Sequence, residues 1–286
     1  MKALLTRKST VLAMPTWQHV PWSMMPKTAL HKLTDIAVEA ASLLETSNDL
    51  EKAACATTSA QALLAAIALL ILRLRQWHAT SGLDIPARPP MMVPASSSMK
   101  PINLSLQPHW YPSKFHDGVA KITMLQQARG MLFYWALELC LLNCVFSNAN
   151  IFEQYHRVIR KLSDAKLSKA TRDDICSSIS AQNALSCADN ITSWFKFAAQ
   201  NTWQSFGPAF GVLTLQTAID WYVFCSSPKN RRRLGGLGSN ISESLSDCRL
   251  MLDNLVRLGS PLAGYRRLSA THMTANGSTK AGRRRL

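Results

Sequence analysis

Apolar residues recur at helical spacing along most of the chain, and no stretch shows the alternation of a half-buried strand. Leu30, Leu33, Ile36, Ala37, Ala40, Leu43 and Leu44 predict a helix from about Lys27 to Glu45. Leu63, Leu64, Ile67, Leu70, Ile71, Leu74 and Trp77 predict a second, from about Leu50 to Trp77. The segment from about Gly118 to Phe146 is apolar on most sides, the mark of a central helix, with Glu138 set inside it. Asn150 with Glu153 has capping-box spacing and opens a helix to about Leu162. Thr171 with Asp174 starts a long one to about Gln200, and Gly207-Pro208 precedes another, Ala209 to Cys225. Asn240 with Glu243 caps the last, which ends near Gly259, a residue type favoured just past a helix end. The expected fold is therefore all-α, an irregular bundle of about seven helices.

Three stretches interrupt this periodicity. Pro15, Pro21 and Pro26 disfavour helix before them, so residues 1–26 are expected to form an extended arm. That arm should wrap over the body and bury Trp17 and Trp22. Pro86, Pro89, Pro90, Pro94 and Pro101 make residues 80–116 a proline-rich linker within a single helical domain, 27–259. After Ser260 nothing is periodic, and 260–286 reads as a disordered basic tail.

Composition agrees with a sizeable core. Of 286 residues 47% are hydrophobic, and only 17% are charged, so Ser, Thr, Asn and Gln should cover much of the surface. The formal charge of +15 is uneven: from Lys229 onward 12 Lys or Arg face three acids, a local balance of +9. Two clusters dominate, Lys229, Arg231, Arg232 and Arg233, then Lys280, Arg283, Arg284 and Arg285. They suit a nuclear-import signal or anion binding, and contact with nucleic acid at most non-specifically, since no aromatic residues interleave them. Seven cysteines, an odd number lying mostly in apolar stretches, suit reduced buried thiols in a cytosolic or nuclear protein. Arg7 and Lys8 interrupt the apolar start before a secretory signal can form.

Motifs that carry chemistry are few. There is no C-x-x-C, H-E-x-x-H or G-x-S-x-G in the chain. Cys140 and Cys144 share a helix face, but an apolar one, and read as core thiols rather than metal ligands. Gly235-Gly236-Leu237-Gly238-Ser239 lacks the lysine and preceding strand of a phosphate loop and reads as a hinge beside Arg231–Arg233. No cofactor, metal or enzymatic activity is expected.

A set of short segments in fixed order resembles the regulatory region of filamentous-fungal zinc-cluster transcription factors. They are Leu5–Leu12, Pro15-Thr16-Trp17, Pro21-Trp22, Pro26-Lys27, Leu30–Ile36, Leu72-Arg73-Leu74-Arg75-Gln76-Trp77, Tyr134-Trp135 and Phe206-Gly207-Pro208. The likeness covers roughly residues 5–225. It implies a helical fold, a nuclear location and control of RNA polymerase II transcription. Partners would be proteins of the transcription machinery, or a second chain in a homo- or heterodimer. The family's six-cysteine, two-zinc DNA-binding module has no counterpart here, so zinc and sequence-specific DNA binding do not carry over. The expected protein is a fragment or a shortened relative acting through protein contacts. The alternative is a membrane protein using 53–72, 130–146 and 209–225 as spans. Glu138 in the second of these argues against lipid around it.

Overall fold

A computed structural model of the chain describes residues 2–14, 16–17, 22, 25–52, 57–82, 115–148, 151, 155, 177, 179–201, 208–234 and 240–257. The protein is all-helical, with eight α-helices and no strand among the described residues. These are α1 (Lys2–Thr6), α2 (Ala29–Lys52), α3 (Thr57–Thr80), α4 (Phe115–Ser147), α5 (Ala181–Asn201), α6 (Pro208–Ser226), α7 (Pro228–Arg233) and α8 (Ile241–Arg257). A 3-10 turn, Val11–Ala13, lies between α1 and α2.

Helix α4 organises the bundle. It packs against α2 and α3 on one side and α5 and α6 on the other. Met131 to Leu139 and Leu141 to Phe146 are buried without a break, so no face of this stretch reaches water. A helix apolar all round is stable only when other helices enclose it, and four do. Helices α2 and α3 pack together through Leu33, Ile36, Ala40 and Leu44 on one helix and Leu63, Leu64, Ile67, Leu70, Ile71 and Leu74 on the other. On the far side α6 and α8 pair closely, and both also touch α5. Trp194, Phe195, Trp221 and Tyr222 are the largest side chains fully enclosed there. Arg73–Glu39 and Lys196–Asp247 tie neighbouring helices at the surface, where such pairs contribute little.

The helix ends depart from the sequence reading in places. Helix α2 runs to Lys52 rather than stopping near Glu45, because Ser47 is buried with the stripe and the pattern continues to Leu50. Helix α5 begins at Ala181, where Ser180 is the cap: its Oγ accepts the Asn183 N–H at 3.1 Å. The expected start at Thr171–Asp174 lies outside the described residues. Asn148 accepts the Ile151 N–H at 3.2 Å, so a cap falls just before Asn150. The 80–116 linker is described only at its two ends, and the tail from 260 lies outside the described residues.

The N-terminal arm is not extended throughout. Ala3, Leu4 and Leu5 give α1 an apolar side that docks on α2, with Leu4 buried. Trp17 is 52% exposed instead of buried. Trp22 is half-buried and packs against His31, their ring centroids 4.2 Å apart and the rings tilted by 42°. The hinge expected at Gly235–Ser239 lies outside the described residues; the basic run before it forms a short helix, α7, opened by Pro228 at the first helical position, where a missing N–H costs nothing.

Gly211 lets α6 sit close against a side chain of α8. A Cβ there would lie 2.6 Å from Leu255 Cδ1 and 3.3 Å from the Phe195 ring, both buried side chains. Ordinarily Ala in place of a helical Gly is stabilising. Here overpacking reverses the sign: Gly211→Ala should lower stability by about 1–2 kcal/mol, read as a lower urea midpoint with an unchanged slope.

Candidate functional site

Two polar places stand out in this apolar interior. The first is built around Glu138, whose side chain is only 2% exposed. A carboxylate so placed must be neutralised and hydrogen-bonded. Arg75 from α3 supplies the charge, with Nη2 at 3.3 Å and Nε at 3.4 Å from Oε1. Asn183 Nδ2 from α5 donates to the same oxygen at 2.8 Å. Cys187, one turn on, places its Sγ 3.8 Å from Oε2, and the Tyr134 hydroxyl bonds to the carboxylate from one turn earlier on α4. The His78 ring stacks on Tyr134 at 4.8 Å, closing the outer side.

This arrangement holds protons rather than moving them. Burial, and then the negative charge of Glu138, push the Cys187 thiol and the Tyr134 phenol well above their ordinary values. Neither ionises at neutral pH, so Cys187 is neither an activated nucleophile nor a ready metal ligand. Burial likewise raises Cys140 and Cys248 to about 11 and Cys225 to about 12. A second polar string, from Asp189 through Tyr222 and Thr192 to Cys248, joins α5, α6 and α8 in the same manner. Tyr222 donates to Asp189 Oδ1 at 2.7 Å, and Thr192 Oγ1 lies 3.1 Å from Cys248 Sγ. No group of three or more His, Cys, Asp or Glu is disposed to hold a metal among the described residues.

The second place is a cleft lined by residues of α1, α2, α4 and α6, with Arg7 just after α1. It has a cavity volume of about 40 Å³ and is partly open. Its polar lining is Asn143 of α4 with Gln216, Thr217 and Asp220 of α6. Its walls are Leu4, Leu44 and Leu213. The Thr217 hydroxyl bonds to the Leu213 carbonyl at 2.8 Å and meets Cys140 Sγ at 3.4 Å. Gln216 Nε2 donates to Asp220 Oδ1 at 2.8 Å. Asn143 is 7% exposed, and its Oδ1 has no hydrogen-bond partner in the protein.

Arg7 stands at the rim because of how α1 ends. Lys8 N–H bonds to the Ala3 carbonyl and Arg7 N–H to the Leu4 carbonyl, the closing pattern that needs a left-handed residue after the helix. Arg7 takes that role at φ 49°, where glycine is usual. Its guanidinium reaches Asn48 Oδ1 at 3.4 Å. Burial raises the Asp220 carboxyl from 3.8 to about 6, opposed by the Gln216 amide and more weakly by Arg7.

Of the residues singled out in the sequence, Lys229 and Arg231 are exposed on α7, and Arg232 and Arg233 complete that helix. Lys280, Arg283, Arg284 and Arg285 lie outside the described residues. Cys144 is a buried thiol outside any disulfide, as expected, and Cys140 a half-buried one. Asp220 carried no motif or spacing signal, and Arg75 entered only as one position of the segment Leu72–Trp77, with no role assigned to it. Glu138 alone carried a signal, since a single acid in an apolar helix demands a partner. Comparison with family models, curated proteins and solved structures gives no match.

Two outcomes test these sites. Arg75→Ala should cost about 1–3 kcal/mol, less than a fully enclosed pair because Arg75 is 34% exposed, and Glu138→Gln in the same chain should restore most of it. A double variant as unstable as the single one would contradict the pairing. For Asp220 the folded value lies above the unfolded one, so its ionisation opposes folding. The penalty is absent below pH 3.8, grows as pH rises and is complete above about 6. Asp220→Asn should therefore stabilise the protein by about 1–3 kcal/mol at pH 7.5 and leave it unchanged at pH 3.5.

Proposed function

We propose that the chain is a helical protein-interaction domain of a transcription regulator, similar to the regulatory region of fungal zinc-cluster factors and acting in the nucleus without reading DNA sequence itself. One observation carries this reading beyond the ordered sequence likeness. Three of the segments that resemble that region come together at one end of the bundle. The Trp77 indole N–H donates to the Ala29 carbonyl at 2.7 Å, just before Leu30–Ile36, and the Trp77 ring stacks on Tyr134 at 6.0 Å. Separate stretches that form one packed unit support a common origin more than scattered matches would. The polar groups described in the interior are largely committed to bonds between helices, which favours action through the outer surface. The arm offers apolar side chains for such contacts: Val11, Leu12 and Met14 are all exposed.

The second reading, a multi-span membrane protein, draws on two helices long and apolar enough to cross a bilayer, Ser59–Thr80 and Gln127–Ser147. The latter is 89% buried by protein, and Arg75–Glu138 joins the two. Both features favour a protein core over lipid, since an ion pair is costly in hydrocarbon.

Tethering the chain to an unrelated DNA-binding module upstream of a reporter gene tests the first reading. Transcription should change several-fold, up or down, relative to the module alone, and no change in any promoter context would overturn it. The nuclear location is tested with a bulky fluorescent fusion carrying Ala at Arg231, Arg232, Arg233, Arg283, Arg284 and Arg285. Accumulation in the nucleus should be lost; unchanged accumulation would refute import through these clusters. Cell fractionation addresses the membrane reading, which gains if the protein is recovered only in detergent.

A further inference from the structure

The cleft beneath α1 has a chemistry that the proposed regulatory role does not use. Its polar lining presents one acceptor without a donor and a carboxylate without a countercharge bound to it. Asn143 Oδ1 is buried and unpartnered, and a buried orphan acceptor is costly. Asp220 lies on the same wall, with Gln216 Nε2 donating to only one of its oxygens. Among the described residues no cation pairs with Asp220. Arg7 is at the rim but bonds to Asn48 instead. The rest of the lining includes the buried leucines Leu4, Leu44 and Leu213. A cavity of about 40 Å³ admits a small head group and no drug-sized ligand.

We propose that this cleft binds the ammonium group of a primary amine. The head donates to Asn143 Oδ1 and the Asp220 carboxylate, while the methylene stem runs out along Leu4, Leu44 and Leu213. Among compact groups an alkylammonium matches both ends. It supplies several N–H donors and a positive charge at the tip, with an apolar stem behind. A hydrated metal ion would waste the leucine walls, and an anion would face Asp220. The amine has two sources, a free alkylamine or the side chain of a lysine on a protein partner. Arg7 sets the affinity from the rim, since its like charge opposes the head group.

The test titrates the full chain at pH 7.5 with propylammonium, following the backbone amide signals of Leu213 to Asp220. Saturable binding is expected at about millimolar strength, the range open to a ligand of so few atoms. Asp220→Asn should weaken it at least about tenfold, the scale of losing a charge-assisted bond. Arg7→Gln should tighten it, a direction that damage to the fold would not produce. Asn143→Leu, which fills the cleft with an apolar group, should abolish it. 1-Propanol, the neutral analogue, should bind far more weakly. No saturable binding, equal binding of propanol, or weaker binding by Arg7→Gln would each overturn the proposal. A parallel titration with Nα-acetyl-lysine methylamide separates the sources: binding there as well assigns the cleft to a protein lysine, and binding of propylammonium alone assigns it to a free amine.

Discussion

One buried charge constrains the core more than any other interaction. Glu138 lies in the middle of a helix that is otherwise apolar on all sides, and its side chain is almost wholly withdrawn from water. An apolar helix by itself specifies neither rotation nor register, because any face packs about equally well. Glu138 removes that freedom. Its carboxylate meets Arg75 of α3 and Asn183 of α5 only when α4 is turned and seated as observed. A buried pair of this kind contributes little net stability over an apolar replacement, and its use is to penalise every arrangement that leaves the charge unpaired.

From that anchor the rest of the bundle follows in two halves. The α2–α3 pair closes one side of α4, with Trp77 bridging to both Ala29 and Tyr134. Helices α5 and α6 close the other, backed by α8, and Thr192 and Tyr222 form a second polar string among these three. Both polar sets hold helices in place with thiols and phenols that burial keeps protonated. The cleft beneath α1 is different, because the Asn143 Oδ1 acceptor in it is not matched within the protein. The first two sites belong to the architecture, and the third has the unbalanced character of a binding place.

Much of the helical order was legible in the residues. The leucine and isoleucine stripe from Leu63 to Trp77 and the unbroken apolar run around Tyr134-Trp135 both specify their helices by period alone. The central place of α4 was also readable, since a helix without a polar face has nowhere else to go. What the sequence hid were matters of distance. Nothing in the spacing of Arg75, Glu138 and Asn183 announces that they meet, because they come from three helices joined by long connections. Asp220 and Asn143 are ordinary polar residues until the leucines of α1 roof them over. The arm shows a further limit. Prolines argued for an extended chain, yet Ala3-Leu4-Leu5 precede them and the gain from burying Leu4 was enough to wind a turn of helix.

The central claim is that α4 is a protein-enclosed core helix keyed by Glu138, and native-state hydrogen exchange in detergent-free buffer tests it most directly. The backbone amides of Met131 to Phe146 should be among the last to exchange and should open only with global unfolding. Arg75→Ala should speed their exchange in step with its loss of stability. Early exchange of these amides in a folded, detergent-free protein, or protection insensitive to Arg75→Ala, would contradict the account.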